Sequence, residues 1–450
     1  MYGRVALRDF GPFESAELEI KPLTLFIGRN SVGKSMLAYL LWTLSVLLPD
    51  PDELAKIVSE RGFEDLAKRS MELVKRGLAP REELTKLINV FIEAFPWAIA
   101  RSLSDALRRV YTSRLSELVK EGSERAIVEV AGPYASVRFV IEGEEVRVED
   151  YKPFRGFLDS LAIEVPRPSA LRITYSDDTM EFPLTSLSDL TNAALRILAL
   201  YVATSFKPFF ASEELVALLV DSRAGISRTL LKPYLSPSIA KGISYADEQF
   251  VRLYYRLAEK LAQGDIKLDF AKPFLEEIGC EPEIVYESGV YTIYVKTWIG
   301  KRLPFARAPS GARESVTLAL ALASLGEPLM IIVEEPEAHL HPRAQTLLAR
   351  LVARAINSLG KIVVITTHSD YLVYSINNLI SLSSKVDRAR ELGYCEDEAI
   401  APEKVAAYLI EARRGRAVVE PLNVSEEGIP EDEFAKIAEE LAEERARILA

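Results

Sequence analysis

Apolar and polar positions follow several different periods along this chain, and each change of period marks a predicted element. Residues 2–8 and 15–20 form two predicted strands around a Gly-Pro turn, and 23–27 are a short apolar run typical of a buried strand. A glycine-rich turn and an apolar helix, 34–48, follow. Residues 52–122 then show helical spacing, but no apolar heptad pattern lasts long enough to predict a long coiled coil.

The period changes again in the middle of the chain. Residues 126–150 alternate apolar and polar positions across two glycine turns, which predicts a small antiparallel meander. Helical spacing returns at 185–206 and at 234–278. Shorter apolar runs predict strands at 215–220, 282–286 and 291–297.

The last third of the sequence alternates in shorter steps, with predicted helices at 311–325, 342–357 and 370–380 and strands at 328–333 and 361–366. Strands that alternate with helices of this length imply a parallel sheet with helices on both faces. A hairpin over 405–422 and an acidic helix at 431–449 complete the pattern.

Composition narrows the class of protein. The chain has 450 residues, 49% of them hydrophobic, which suggests two or three domains with a substantial core. No apolar run reaches the roughly 18 residues of a membrane span, and the N-terminus reads as a strand rather than a signal peptide. Cys280 and Cys395 lie far apart, which excludes a disulfide framework and favours a cytoplasmic protein.

Charge and polar composition add two expectations. The net charge of −11 disfavours steering of the whole molecule toward nucleic acid, although a local basic patch on a helix with Arg101, Arg108, Arg109 and Arg114 stays open. Seven asparagines and three glutamines, beside dense Glu, Lys and Arg, favour a thermophilic source.

A phosphate-binding loop is the first chemical motif. It follows the strand at 23–27 and opens the helix at 34–48, and a chance glycine turn is the alternative interpretation. Glycines let backbone N–H groups converge on phosphate oxygens, the lysine reaches the β- and γ-phosphates, and the serine hydroxyl holds Mg²⁺. The residues that fit G-x-x-x-x-G-K-[ST], with the next residue added, are Gly28, Arg29, Asn30, Ser31, Val32, Gly33, Lys34, Ser35 and Met36.

A pair of acidic residues is the second motif. The apolar run 329–333 predicts a central strand that delivers Glu334 and Glu335 to its carboxyl end, where open parallel sheets bind ligands. Glu334 would orient Mg²⁺, and Glu335 would polarise the attacking water. An acidic turn at the surface is the alternative.

Histidine placement is the third signal. His368 follows the predicted strand 361–366, where its imidazole could donate to a γ-phosphate. His339 and His341 have i, i+2 spacing, but no cysteine or third histidine accompanies them as zinc ligands would require. We interpret those two as part of a loop that shapes a subunit interface.

Ser310 and Gly311 open the helix at 311–325 and suggest a second phosphate site at a helix N-terminus. One protomer does not need two γ-phosphate sites for one nucleotide, whereas two protomers that face each other would use both. An ordinary N-cap serine is the alternative interpretation.

Together these motifs resemble those of the ABC-type ATPases of the SMC, RecF and OLD group. The residues that carry the likeness are the phosphate loop, Ser310-Gly311, Glu-Glu-Pro-Glu-Ala-His-Leu-His-Pro at 334–342 and Thr-Thr-His-Ser at 366–369. Within the group, the sequence is most similar to the prokaryotic AAA_15/AAA_21-like predicted ATPases without a Toprim domain. Only about 80 residues follow His368, and they lack an acidic D-x-D cluster, so nuclease activity is not expected.

The resemblance implies an α/β fold, with an ABC-ATPase-like P-loop core around a mixed or parallel sheet. The core would comprise 1–48 and 165–450, including a helical lobe at about 230–325. Residues 49–164 would be an inserted, mostly helical module that carries the small meander.

The resemblance also implies roles for individual residues. Ser310 and Gly311 match the signature motif, which contacts ATP of the other subunit. Glu334 takes the Walker B position, Glu335 that of the catalytic glutamate, and His368 that of the switch histidine, while 338–341 match the D-loop. Three departures are a glutamate at 334 instead of aspartate, the truncated signature motif, and a missing Q-loop glutamine, for which 221–225 are the nearest candidate.

The function implied is a Mg²⁺-dependent ATPase that dimerises around two ATP molecules and opens on hydrolysis. We expect a role in DNA repair, DNA maintenance or defence against mobile elements. The alternative is a regulatory ATPase, independent of DNA, that controls a toxin- or effector-like protein partner. A transporter ATPase is disfavoured by the nearly 300 residues between the phosphate loop and Glu335.

Overall fold

The structure is a computed structural model, and it describes residues 3–167, 169–221, 223–231, 244–287 and 289–449. The described chain forms two compact units. One comprises 1–19 and 43–212, and the other comprises 20–42 and 213–450. The predicted division into an ATPase core, 1–48 and 165–450, and an insertion at 49–164 stays a prediction.

The helices and strands are numbered here in chain order. The helices are α1 (Lys34–Val46), α2 (Pro51–Glu60), α3 (Phe63–Lys75), α4 (Arg81–Tyr111), α5 (Gly156–Asp159), α6 (Leu187–Ser205), α7 (Arg223–Ile226), α8 (Tyr245–Gln263), α9 (Leu268–Glu277), α10 (Ser310–Ala323), α11 (Pro342–Leu359), α12 (Asp370–Leu382), α13 (Val386–Glu391) and α14 (Asp432–Leu449). The strands are β1 (Arg4–Phe10), β2 (Phe13–Glu19), β3 (Leu23–Gly28), β4 (Arg125–Ala131), β5 (Ser136–Glu142), β6 (Glu145–Lys152), β7 (Ala162–Glu164), β8 (Ala170–Tyr175), β9 (Asp178–Pro183), β10 (Val216–Leu219), β11 (Cys280–Glu287), β12 (Val290–Thr297), β13 (Arg302–Pro304), β14 (Met330–Glu334), β15 (Ile362–Thr367), β16 (Val405–Arg413) and β17 (Arg416–Leu422).

The unit of 20–42 and 213–450 is built on a mixed sheet with the strand order β10-β14-β15-β3-β16-β17. The first five strands are parallel, and β17 pairs antiparallel with β16 through a hairpin. Strand β3, which leads into the phosphate loop, lies between β15 and β16. This arrangement confirms the predicted α/β class and the parallel strands.

Alternate residues of these parallel strands enter one apolar core. On β3, for example, Leu23, Leu25 and Ile27 pack with residues of helices α8 to α12. All residues of β14 are buried, as the continuous apolar run 329–333 predicts for a strand in the middle of a parallel sheet. A smaller antiparallel sheet, β11-β12-β13, belongs to the same unit.

The unit of 1–19 and 43–212 contains an antiparallel arrangement of strands in the order β2-β1-β4-β5-β6. Strand β1 pairs with β4, so that Val5 lies opposite Val130 and Leu7 opposite Val128. The predicted antiparallel meander at 126–150 is confirmed as β4, β5 and β6, and its pairing with β1 makes it part of a larger arrangement of strands. Within this unit, helix α4 packs against the strands. The hydroxyl of Tyr151 on β6 donates a hydrogen bond to the carbonyl oxygen of Ile92 on α4 at 3.2 Å.

The sequence pattern missed the second sheet of this unit, β7-β8-β9. Its strands are short, and the polar turn between β8 and β9 hides the alternation of Leu171 and Ile173, which are buried. The predicted helix at 234–278 is two helices, α8 and α9, and its first residues, 234–243, lie outside the described residues. Among the helices that the structure describes, none is both long and apolar enough to cross a membrane.

Candidate functional site

The phosphate loop joins the buried strand β3 to helix α1, and its shape requires glycine at its first position. A Cβ on Gly28 would lie 2.2 Å from the carbonyl oxygen of Ile410 on the paired strand β16. Gly33 has φ 100°, a backbone conformation that residues with a side chain rarely adopt. Its carbonyl oxygen accepts the first hydrogen bond of α1, from the N–H of Leu37 at 3.2 Å. Ser31 also has a positive φ, 64°.

The other residues of the loop divide into exposed and packed positions. Arg29 and Asn30 are exposed, as are Ser31 and Ser35, whereas Val32 is buried. Val32 Cγ2 would lie 3.4 Å from a Cβ on Gly28, so this side chain packs under the loop. Met36 is half-buried on the first turn of α1. The loop therefore offers polar groups to solvent on an apolar base.

Lys34 is buried and points back into the loop. Its Nζ donates to the carbonyl oxygens of Gly28 at 2.8 Å and Arg29 at 2.7 Å. Burial lowers the pKa of Lys34, and the negative charges of three glutamates, 334, 335 and 337, act in the opposite direction. The ammonium group thus lies beside the acidic residues at the ends of the parallel strands.

Glu334 is the last residue of β14, and only 1% of it is exposed. Its carboxylate accepts hydrogen bonds from the side chains of Ser35 and Tyr39 and from the backbone N–H of Asp221. Its Oε2 nevertheless has no hydrogen-bond partner among the described residues. Burial raises the pKa of Glu334, so a nearby cation would relieve the cost of its charge.

The pair of Glu334 and Ser35 fits a magnesium ion. Mg²⁺ takes oxygen ligands and binds in proteins through one or two carboxylates with water and substrate phosphates. A buried carboxylate oxygen without a partner, beside a serine hydroxyl, offers such a donor set.

Glu335 follows β14 in a strained backbone conformation. Its φ of 41° lies in the left-handed region, which costs a residue other than glycine about 1–3 kcal/mol. Its N–H donates to the carbonyl oxygen of Thr366 on β15 at 2.9 Å. The side chain is 31% exposed, and Glu335 Oε1 lies 3.6 Å from Nδ1 of His368. The two residues predicted to act on water and phosphate are therefore neighbours.

Glu337 was missed by the sequence analysis. It is buried, and its Oε1 accepts from the Thr367 hydroxyl at 2.7 Å and from the backbone N–H of His368 at 3.1 Å. The same Oε1 lies 3.7 Å from His368 Nδ1. Glu337 thus fixes the turn that carries His368. The acidic run 334–337 was the available signal, but the contact with β15 joins residues about 30 positions apart.

Ser310 and Gly311 begin helix α10 and lie against the loop after β14. A Cβ on Gly311 would be 3.4 Å from the carbonyl oxygen of His339, and Ser310 is exposed. None of the contacts described for these two residues is with the phosphate loop. His339 has φ 61°, and His341 is the N-cap of α11, where its Nδ1 accepts from the N–H of Arg343 at 3.3 Å.

The loop 221–225 lies at the end of the site. The backbone N–H of Asp221 donates to the Glu334 carboxylate, and the Arg223 guanidinium donates to the backbone carbonyls of Glu334 at 2.7 Å and Glu335 at 3.2 Å. Ser222 lies outside the described residues. The carboxyl ends of β3, β10, β14 and β15 thus bring together Lys34, Ser35, Glu334, Glu335 and His368.

Part of the chain is similar to a known protein family. Residues 226–373 match the family model AAA_21, described as an AAA domain, putative AbiEii toxin, Type IV TA system. The predicted resemblance to the AAA_21-like ATPases is confirmed. The matched range is about a third of the chain and contains Ser310, Glu334, Glu335 and His368, whereas the phosphate loop lies before it.

Curated proteins gave no match to the chain. Among solved structures, the chain is similar to an Smc head bound to the C-winged helix domain of ScpA, with a TM-score of 0.46 and 14% identity over 94% of this chain and 98% of that one. It is similar to the SMC head domain from Thermotoga maritima, with a TM-score of 0.38 and 10% identity over 94% and 100%. A third is the Smc head domain with an extended coiled coil, bound to the C-terminal domain of ScpA derived from Pyrococcus furiosus. Its TM-score is 0.44 at 12% identity over 98% and 99%.

Proposed function

We propose that this chain is a Mg²⁺-dependent ATPase that works as an ATP-dependent dimerising switch. The observation that supports it best is the cluster at the carboxyl ends of the parallel strands. There a buried lysine, a buried carboxylate with a free oxygen and a Glu335–His368 pair lie around the phosphate loop.

Each residue of the cluster has a role in this proposal. Residues 28–36 bind the nucleotide, and Lys34 exchanges its two carbonyl partners for the β- and γ-phosphates. Ser35 and Glu334 hold Mg²⁺, which when bound neutralises phosphate charge. Glu335 orients and polarises the attacking water, and His368 donates to the γ-phosphate.

Dimerisation is proposed from the position of Ser310 and Gly311. Ser310 is exposed, its helix begins beside His339, and its described contacts do not reach the phosphate loop of its own chain. A second protomer that faces the first would bring its ATP to this helix N-terminus, which attracts anions. Two ATP molecules would then be enclosed between two protomers.

Glu335→Gln tests the switch. Glutamine keeps the shape of the side chain but lacks the charge that polarises water, so turnover should fall about 10²- to 10⁴-fold. ATP binding should persist, and light scattering with ATP and Mg²⁺ should show an accumulated dimer. Glu276→Gln, an exposed glutamate on α9, is the control and should behave like the parent. Parent-like hydrolysis by Glu335→Gln, or a monomer with ATP bound, would contradict the proposal.

We propose that the switch acts in DNA repair, DNA maintenance or defence against mobile elements. Control of a protein partner, independent of DNA, is the second candidate. The arginines on which the DNA hypothesis relied are partly neutralised, since Arg108 lies 3.6 Å from Asp105 and 3.5 Å from Glu144. Arg114 lies beyond the end of α4, not on the predicted helix. The family description, which includes a putative toxin of a toxin–antitoxin system, favours the protein partner.

DNA binding with and without ATP separates the two candidates. A DNA-maintenance role predicts ATP-dependent binding that weakens steeply with salt, because Lys and Arg displace counterions from phosphates. Replacing Arg101 and Arg109 by glutamine should then reduce the salt dependence. Unchanged, negligible DNA binding in both nucleotide states would favour a protein partner.

A further inference from the structure

A buried arginine links the end of β10 to the end of β14, which carries Glu334 and the proposed catalytic Glu335. Arg223 has no exposed surface. Its Nη1 donates to the carbonyl oxygens of Val220 at 2.6 Å and Glu334 at 2.7 Å, and its Nη2 donates to that of Glu335 at 3.2 Å. One side chain therefore holds the end of β10 against the end of β14.

The third side of the guanidinium faces helix α10. Arg223 Nε lies 3.0 Å from the carbonyl oxygen of Glu314 and 3.1 Å from its Oε2. The other carboxylate oxygen, Glu314 Oε1, accepts from the backbone N–H of Ala224 at 2.8 Å. Glu314 lies one helical turn after Ser310, on the helix whose N-terminus is proposed to meet the partner's ATP.

A second arginine fastens the start of the same helix. Arg313 donates from Nε to the carbonyl oxygen of Ala308 at 2.9 Å and from Nη1 to that of Ala224. The two consecutive residues, 313 and 314, thus bind α10 to the short segment 223–224. A displacement of the Ser310 end of α10 would act directly on Arg223.

Stability alone does not explain this arrangement, because the free-energy cost of burying both charges offsets the attraction of the ion pair. Burial lowers the pKa of Arg223, and the nearby charge of Glu314 only opposes that shift. Burial likewise raises the pKa of Glu314. Buried ion pairs are often no more stabilising than apolar residues of similar volume, so the charges call for another reason. The strained backbone of Glu335, which Arg223 contacts, is the feature that needs such support.

We infer that Arg223 is a positioning residue that couples helix α10 to the catalytic glutamate. Contact of Ser310 with the partner's nucleotide would move α10, and the Glu314–Arg223 pair would carry this movement to the backbone of Glu335. Hydrolysis would then require both protomers even where ATP is already bound. The inference rests on the proposed function and adds the regulation of its site.

The test compares Glu314→Gln, Arg223→Met and the double variant with the parent. Direct titration measures ATP affinity, light scattering measures the ATP-dependent dimer, and a steady-state assay measures kcat at saturating ATP and Mg²⁺. We expect ATP affinity within about threefold of the parent and an intact dimer, with kcat lowered about 10²-fold, as small displacements of catalytic groups produce.

The double variant separates positioning from stability. Removing one charge leaves the other buried without its partner, whereas removing both restores much of the lost stability in thermal unfolding. If Arg223 only stabilises the fold, kcat should recover together with stability, and that result would overturn the inference. Continued low turnover in a stable double variant supports it. Glu314→Gln, which is nearly isosteric, keeps the test valid if Arg223→Met does not fold.

A matched ion pair away from the site provides the control. Arg350 and Glu398 lie 2.8 Å apart, with Glu398 buried. Arg350→Met and Glu398→Gln should lower stability without changing kcat of the folded protein. Absence of turnover in the parent would overturn both the proposed function and the inference. Turnover in the parent with an unchanged kcat in Glu314→Gln would overturn the inference alone.

Discussion

Two buried lysines lie at opposite ends of the parallel strands, and both bind pairs of backbone carbonyls. At the carboxyl end, Lys34 Nζ donates to Gly28 at 2.8 Å and Arg29 at 2.7 Å. At the amino end, Lys361 Nζ donates to Gly326 and Pro328, both at 2.6 Å. By local geometry alone, the two sites look equivalent.

The surroundings of the two lysines differ. Three glutamates act on Lys34, whereas the charged neighbours that act on Lys361 are Lys260 and Glu327, of opposite sign. Access to solvent does not separate them, since each lysine has one exposed partner residue, Arg29 for Lys34 and Gly326 for Lys361. What separates the proposed binding lysine from the structural one is the charge around it.

Lys34→Ala should have the largest effect of the substitutions that test this comparison, and the quantity it changes is ATP affinity. Hydrogen bonds to charged groups contribute about 1.5–3 kcal/mol each, so ATP affinity should fall at least about 10²-fold. The free energy of unfolding should change by no more than about 1 kcal/mol, because water can replace Lys34 at the loop carbonyls and a buried charge is removed. Titration with ATP and chemical unfolding measure the two quantities. Retained ATP affinity would contradict the role assigned to Lys34.

Lys361→Met should show the reverse pattern, with unchanged ATP affinity and a pH-dependent loss of stability. Burial lowers the pKa of Lys361 to about 8. Below pH 8, the folded and unfolded chains both carry this proton, and the folded chain bears the cost of a buried charge. Between pH 8 and about 10.5, the unfolded chain keeps the proton that the folded chain releases, so the contribution of Lys361 to folding rises with pH.

The measurement is the free energy of unfolding of Lys361→Met and of the parent between pH 7 and 10. At pH 7, the lost hydrogen bonds and the relieved charge offset each other, so the difference should be about 1 kcal/mol or less. It should grow to about 2–3 kcal/mol at pH 10. Lys272→Met, an exposed lysine on α9, controls for the removal of one positive charge. A difference that does not depend on pH would show that Lys361 keeps an ordinary pKa in the fold.

The sequence predicts the first of these two lysines but not the second. The phosphate loop occupies consecutive positions because a strand, a turn and a helix N-terminus must follow one another to form it. Lys361 has no such signature, since its partners at 326 and 328 are positioned by another strand. The same reason explains why Glu334, Glu335 and His368 could be nominated from their positions after apolar runs, while Glu337 was missed.

The contacts of Arg223 could not be predicted from the sequence. The sequence identifies its loop, 221–225, only as the nearest candidate for the Q-loop, without the usual glutamine. Its contacts reach positions 314, 334 and 335, which are about 90 to 110 residues away in the chain. Elements with a clean apolar pattern, such as the continuous run of β14 and the helical spacing of α11, were predicted within a few residues. Strands β7 to β9 were not, because polar residues interrupt the apolar pattern within the strands as well as in their turns.

Tyr39→Phe should have the smallest effect, and it probes the carboxyl end of the strands without removing a charge. The Tyr39 hydroxyl donates to the Glu334 carboxylate, which also accepts from Ser35 and from the N–H of Asp221. Loss of one of these donors costs about 1 kcal/mol, so the Mg²⁺ concentration for half-maximal turnover should rise about fivefold while kcat at saturating Mg²⁺ stays constant.

The pH dependence of this variant distinguishes orientation of Glu334 from general destabilisation. A donor to the charged form of a carboxylate lowers its pKa, and burial already raises the pKa of Glu334, so Tyr39→Phe should raise it further. If Glu334 holds Mg²⁺ as proposed, its protonated form would not, and the deficit in Mg²⁺ affinity should therefore be larger at pH 6 than at pH 8. Tyr371→Phe, at an exposed tyrosine on α12, is the control and should match the parent at both values. An equal deficit at pH 6 and pH 8 would mean that Tyr39 supports the packing of α1 rather than the charge of Glu334.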